Sequence, residues 1–215
     1  MGIIINVLRR LGLRHLLKHD YLKAESYFRK IYDKKPERRE NWYYLAMALM
    51  GQKRYEEAEK LFLAELREAG EGYFRFRTLG DMYYLWGKGE QAAAYYKKAL
   101  ELCDTPQEQK LFRERIKLCS SEKSFENVKM SHQAFEEGNS LISQGKEEKA
   151  LEVFQRAVEL DHTNFNAWNN IGTLYHINFS DSQKALEAFS QAAEYTSLPS
   201  ITANMQQVIR SMEKQ

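Results

Sequence analysis

Residues 41–100 read NWYYLAMALMGQKRYEEAEKLFLAELREAGEGYFRFRTLGDMYYLWGKGEQAAAYYKKAL, and this stretch carries one pattern twice. Trp42, Leu45, Ala46 and Leu49 precede Tyr55, Ala58 and Phe62. Phe76, Leu79, Gly80, Tyr83 and Gly87 then precede Ala92, Tyr96 and Ala99 in the same order of large and small. Ala58 to Ala92 spans 34 residues, and so does Phe62 to Tyr96. A period of that length, with two amphipathic helices in each unit, is the signature of a solenoid whose units bury a core by stacking on their neighbours. Such chains hold other molecules more often than they transform them.

Working outward, the pattern extends in both directions. Upstream, Tyr21, Ala24 and Phe28 lie 34 residues before Tyr55, Ala58 and Phe62, so residues 5–38 form a degraded first copy, closed by Pro36 as a helix breaker. Residues 39–72 and 73–106 are the second and third copies, and Pro106 stops the third. From 107 to 130 the period fails. Leu111, Phe112, Ile116 and Leu118 read as one covering helix (107–118). Ser120, Ser121 and Ser124 mark a joint at 120–130, where a long helix begins. The pattern resumes in 131–164 with Gly138, Ala150, Phe154 and Ala157, and in 165–199 with Trp168, Ile171, Gly172, Tyr175, Ala185, Phe189 and Ala192. Ala150 to Ala185 is 35 residues, so one residue is inserted, which the reading places in 178–182. A last helix, 200–213, caps the stack. The expected organisation is a subarray over 1–119, the joint, and a second subarray over 131–215.

The chain has 215 residues, 43% of them hydrophobic, enough for a substantial core. Its 32 basic and 30 acidic residues nearly cancel, but not locally: residues 1–38 hold ten Lys or Arg against four acids, and residues 131–215 hold six against eleven. Cys103 and Cys119 are too few for a disulfide framework and lack a metal spacing, so they read as reduced thiols of a cytoplasmic protein. Ile3, Ile4, Ile5, Val7 and Leu8 form an apolar start with neither the flanks of a signal peptide nor the length of a membrane span. A first packed helix is the preferred reading, and contact of this segment with a membrane surface is a lesser one.

The order Trp42, Leu45, Ala46, Leu49, Ala58, Phe62, repeated by Phe76, Leu79, Gly80, Tyr83, Ala92, Tyr96, Ala99 and again from Trp168 to Ala192, resembles the tetratricopeptide repeat. The resemblance implies an all-α, right-handed solenoid of antiparallel helix pairs, about five repeats with connecting and capping helices. It also implies that the first helix of each unit lines a concave groove for a peptide or helix of a partner. Carried onto this sequence, the groove residues are Arg9, Tyr43, Met47, Phe74, Arg77, Asp81 and Tyr84, aromatic and apolar with a few charges. Chaperone-binding members of the family hold a terminal carboxylate with asparagines and basic residues. Asn139 and Asn170 stand at the asparagine places, but Phe135 stands where a lysine is expected. These two amides are therefore read as contacts to a peptide backbone, not as a carboxylate clamp.

No motif asks for catalysis, a cofactor or a metal. His15 and His19 are separated by Leu-Leu-Lys, without the glutamate of a zinc-protease helix. The expected function is a non-catalytic protein-interaction adaptor. The alternative is a self-assembling scaffold joined through its oppositely charged ends or apolar first helix, and nucleic-acid or anionic-surface binding is a third reading.

Overall fold

The computed structural model describes residues 2–36 and 40–213. The boundary read between residues 38 and 39 lies outside the described residues. Twelve α-helices and no strand are present among them. Their contacts fall into two units, Met1–Trp86 and Gly87–Gln215.

Unit 1 contains α1 (Gly2–Leu17), α2 (Tyr21–Lys34), α3 (Glu40–Gly51), α4 (Tyr55–Ala69) and α5 (Tyr73–Trp86). Successive helices pack on one another, α1 on α2, α2 on α3, α3 on α4 and α4 on α5. Unit 2 contains α6 (Gly89–Glu101), α7 (Pro106–Leu118), α8 (Glu122–Ser143), α9 (Glu147–Leu160), α10 (Phe165–Ile177), α11 (Ser182–Ala193) and α12 (Pro199–Met212). Here too neighbours in sequence pack together, from α6 on α7 to α11 on α12.

The packing rule is visible in the return helices. Ala24 and Phe28, Ala58 and Phe62, Ala92 and Tyr96, Ala150 and Phe154, and Ala185 and Phe189 are all buried, most of them completely. The ring of each pair needs a small residue opposite it, and in three copies that residue is glycine. A Cβ built on Gly12 would stand 2.7 Å from the Phe28 ring, one on Gly138 2.5 Å from Phe154, and one on Gly172 2.8 Å from Phe189. Real side chains do not approach so closely, so glycine sets the helix separation.

The turns repeat as faithfully as the core. His19, Lys53, Gly87, Gly145 and Ser180 have positive φ, between 53° and 85°. His19, Lys53 and Gly87 are spaced by the repeat length itself. In the turn after α1, the His19 N–H donates to Leu16 O and the Asp20 N–H to His15 O. The turn after α3 matches it with Lys53 to Met50 and Arg54 to Leu49, and the turn after α8 with Gly145 to Ile142 and Lys146 to Leu141. This is a Schellman closure, in which a left-handed residue lets two N–H groups satisfy the last carbonyls of the first helix. The next helix then starts at once, with Asp20 accepting from the Lys23 N–H and Asp181 from the Lys184 N–H as N-caps.

Two further glycines pack against rings at helix ends. Gly51 is the last residue of α3, where a Cβ would lie 2.5 Å from the Tyr21 ring, and Gly89 opens α6 against the Phe125 ring. The inserted residue does lie in the α10–α11 turn. There the closing bond, Asp181 N–H to Tyr175 O, spans six residues where the others span five.

Ser120 and Ser121 form the short turn before α8, with Ser121 accepting from the Ser124 N–H as its N-cap. α7 is tied to the helix before it and to the turn before α10. Arg115 donates to the Tyr96 hydroxyl at 2.8 Å and, more weakly, to Thr163 Oγ1 at 3.4 Å. Cys103 is buried and Cys119 half-buried, both as free thiols. Burial pushes the Cys119 thiol up to about 12.

Candidate interaction faces

In unit 1 the first helices α1, α3 and α5 lie side by side. α1 touches α3, and the Tyr43 hydroxyl of α3 is 2.9 Å from Thr78 Oγ1 of α5. Thr78 in turn donates to the Phe74 carbonyl. Phe74, Arg77 and Asp81 are spaced three and four residues apart on α5 and therefore share a face. Arg77 Nε stands 3.7 Å from Asp81 Oδ2, both side chains about a quarter exposed. Phe74 is 72% exposed, its ring edge-on to Tyr73 at 5.1 Å. Tyr43 and Met47 are half-buried one turn apart on α3. The Tyr43 ring packs against Tyr44 and Phe62, and burial holds its phenol above the usual tyrosine range.

Two of the expected groove residues behave differently. Tyr84 is only 1% exposed, a core side chain, so its place among the partner-contacting residues is corrected. Helical spacing put it on the face of Arg77 and Asp81, but α5 is apolar on nearly every side. Phe76, Leu79, Met82, Tyr83 and Tyr84 are all buried, and such a helix leaves no period from which to choose. Arg9 is half-exposed and donates to Asn6 on its own helix at 3.4 Å.

An ion pair that the sequence did not suggest lies behind this face. Glu65 occupies the repeat position that Ile31 fills in the first copy, and it is 7% exposed. Arg75 Nε donates to both of its oxygens at 2.9 Å, which raises the guanidinium further and makes the buried carboxylate tolerable. The only sequence signal was the acidic residue at an apolar place.

Unit 2 builds its first-helix face from neutral amides. Asn170 Nδ2 of α10 donates to Asn139 Oδ1 of α8 at 3.0 Å, so the two asparagines expected to contact a peptide backbone are bonded to each other. Beside them, Asn204 Nδ2 of α12 donates to Asn169 Oδ1 of α10 at 2.9 Å. The row ends at a cleft of about 530 Å³ lined by His176, Gln206, Gln207 and Arg210.

A larger cleft, about 970 Å³, lies on the other side of unit 2 between α9, α10 and α11. Trp168, Ile171 and Tyr175 form its floor, with Gln155, Lys184 and Glu187 at its edges. Trp168 and Tyr175 sit in the packing frame of the repeat, which is why their remaining exposure was not legible. Their polar atoms are engaged: the indole N–H donates to His162 O, and Gln155 donates to the Tyr175 hydroxyl.

His15 and His19 each have a local partner, the Asp20 carboxylate at 3.1 Å and the Tyr21 hydroxyl at 2.8 Å. Among the described residues, no three His, Cys, Asp or Glu side chains gather as ligands for one metal ion.

Residues 138–178 match the family model described as a TPR repeat. Residues 2–101 match a second, described as an uncharacterised Treponema protein. No curated protein sequence matches the chain. Among solved structures the chain is similar to MamA AMB-1, with 19% identity, covering 90% of this chain and 92% of that one, at a TM-score of 0.47. It is also similar to YrrB, described as a TPR protein with an unusual peptide-binding site (18% identity, 96% and 90% covered, TM-score 0.45). A third is the TPR2AB domain of yeast Sti1 in its pHSP90 complex (14% identity, 100% and 86% covered, TM-score 0.45).

Proposed function

We propose that this tetratricopeptide-repeat chain is a non-catalytic adaptor, and that the first-helix face of unit 1 receives a segment of a protein partner. One observation carries the reading: Phe74 projects into solvent on the same face of α5 as the half-buried Arg77–Asp81 pair, beside Tyr43 and Met47 of α3. An exposed ring next to partly desolvated charges combines an apolar anchor with a polar selector, the pairing that dominates binding energy in protein interfaces. The α5 carbonyl and hydroxyl beneath it are already bonded, so the face is pre-organised and loses little freedom on binding.

In unit 2, Asn139 and Asn170 serve the same partner or a second one through its backbone. Each amide can exchange the bond to its neighbour for one to a peptide group at little net cost, because one amide bond replaces another.

The test is selection of a random peptide library on the whole protein, followed by affinity measurement on Phe74→Ser and Arg77→Glu. Loss of an aromatic anchor is worth about 2 kcal/mol, so Phe74→Ser should weaken a selected peptide roughly thirtyfold while its melting curve stays with the wild type. Equal affinity in both variants would remove unit 1 as the binding face.

A further inference from the structure

The outer face of α1 is not explained by partner binding on the neighbouring face. α1 packs inward through Ile5, 3% exposed, and through Gly12 beneath the Phe28 ring. Its outer stripe follows helical spacing through Ile3, Val7, Arg10, Arg14 and Leu17. Ile3 is 80% exposed, Val7 52% and Leu17 82%, with Ile4 at 56% beside them. Arg10, Arg14 and Lys18 are exposed on the same side. Where α1 begins, Ile4 and Ile5 form a cleft of about 320 Å³ with Lys34 and Lys35 at the end of α2.

We infer that this face docks on an anionic lipid bilayer. Three of the four exposed apolar side chains, Ile3, Ile4 and Val7, lie in the first two turns, and the cations follow along the same stripe before Leu17 and across the cleft. A helix divided along its length in this way dips into the interfacial layer by its first turns, its apolar groups among the acyl chains and its cations at anionic headgroups. No helix among the described residues is long and apolar enough to cross a membrane, so the contact is with the surface.

Charge decides against a second copy of the chain as the occupant. A two-fold pairing sets the patch against itself and brings the cations Arg10, Arg14 and Lys18 of one copy against a patch that carries the same cations. A head-to-tail pairing would offer α12, whose exposed Ile209 and Met212 are accompanied by Arg210 and Glu213, a neutral set that leaves Arg10, Arg14 and Lys18 without counter-charge.

The experiment is flotation of the full chain with phosphatidylcholine vesicles and with vesicles containing phosphatidylglycerol. Binding is expected only to the second kind, and it should weaken with added salt. Each arginine near the surface accounts for roughly fivefold in affinity, so Arg10→Ser/Arg14→Ser should lose about twentyfold or more. Ile3→Ser/Val7→Ser should also lose binding. Both variants should melt as the wild type does, since the replaced side chains are exposed. Phe74→Ser should float unchanged, which separates this inference from the partner-binding reading. Absence of flotation, equal flotation with both lipids, or equal flotation of the α1 variants would overturn it. So would a dimer in light scattering that Ile3→Ser/Val7→Ser dissolves, or retention by a DNA duplex without vesicle binding.

Discussion

Unit 1 and unit 2 set the same ring against the same gap, but they stitch neighbouring helices with different chemistry. In unit 1 the stitches are charged. Glu25 of α2 accepts from Arg29 at 2.7 Å, from Arg54 at 2.7 Å and from Gln52 at 2.8 Å, and Arg54 continues to Glu57 of α4. In unit 2 the buried stitches are largely neutral. Ser131 Oγ donates to Ala157 O at 2.7 Å and accepts from Asn164 Nδ2 at 3.2 Å, while Asn164 also caps α10. Asn139, Asn170, Asn169 and Asn204 add the partly exposed amide row. The repeat dictates where a ring meets a small residue, and leaves the polar links between helices to local choice. The two units should therefore respond alike to core mutations and differently to pH.

The largest effect should be common to both. Phe28→Ala and Phe154→Ala each empty a fully buried ring site and should cost about 3–5 kcal/mol in denaturant titration. A clearly smaller loss in one unit would break the equivalence of their cores. Gly138→Ala should cost about 1–3 kcal/mol, because its Cβ would stand 2.5 Å from the fully buried Phe154 ring.

Acid should sharpen the contrast. Burial pushes the Glu25 carboxyl up, but the hydrogen bonds from Gln52, Arg29 and Arg54 together outweigh it and hold the group below its ordinary value of 4.5. A depressed carboxylate contributes stability that is fully present above the unfolded value and is lost as pH falls through the folded one. Glu25→Gln should thus cost about 2 kcal/mol at neutral pH, and the gap between variant and wild type should close on acidification below about pH 4.5. A gap independent of pH would show that shape, and not charge, is what Glu25 supplies.

The smallest effects concern the turns. Gly145 has φ +66° and nothing near its missing Cβ, so Gly145→Ala should cost about 1 kcal/mol through backbone strain alone. Lys53 already bears that strain at φ 62°, and Lys53→Gly should gain about 0.5 kcal/mol. Thermal melts of the two variants should move in opposite directions.

Much of this was legible in residues 41–100, because a period of rings and small residues records packing directly. The helix pairs and the helix after Pro199 follow from it, whereas the bond between Asn139 and Asn170 does not. The turn conformation was legible only where glycine marked it, at Gly87 and Gly145. His19, Lys53 and Ser180 adopt the same backbone without a compositional sign, since the Schellman bonds are made by the main chain. The fate of Tyr84 was hidden for the opposite reason: α5 is so apolar that its pattern names no outer face. Nor did the period indicate that contacts group residues 1–86 apart from 87–215. Glu65 with Arg75 and Asn169 with Asn204 depend on side chains meeting across helices, which spacing along one helix does not encode.

The α10–α11 turn closes over six residues instead of five, and the extra length is taken up by Phe179, which tucks edge-on against Tyr175 without moving Ala185 or Phe189 out of the core. A connection that absorbs one residue in this way is a splice point. Residues 178–181 are where a short epitope or reporter loop could be inserted into the array with the units on either side left in register.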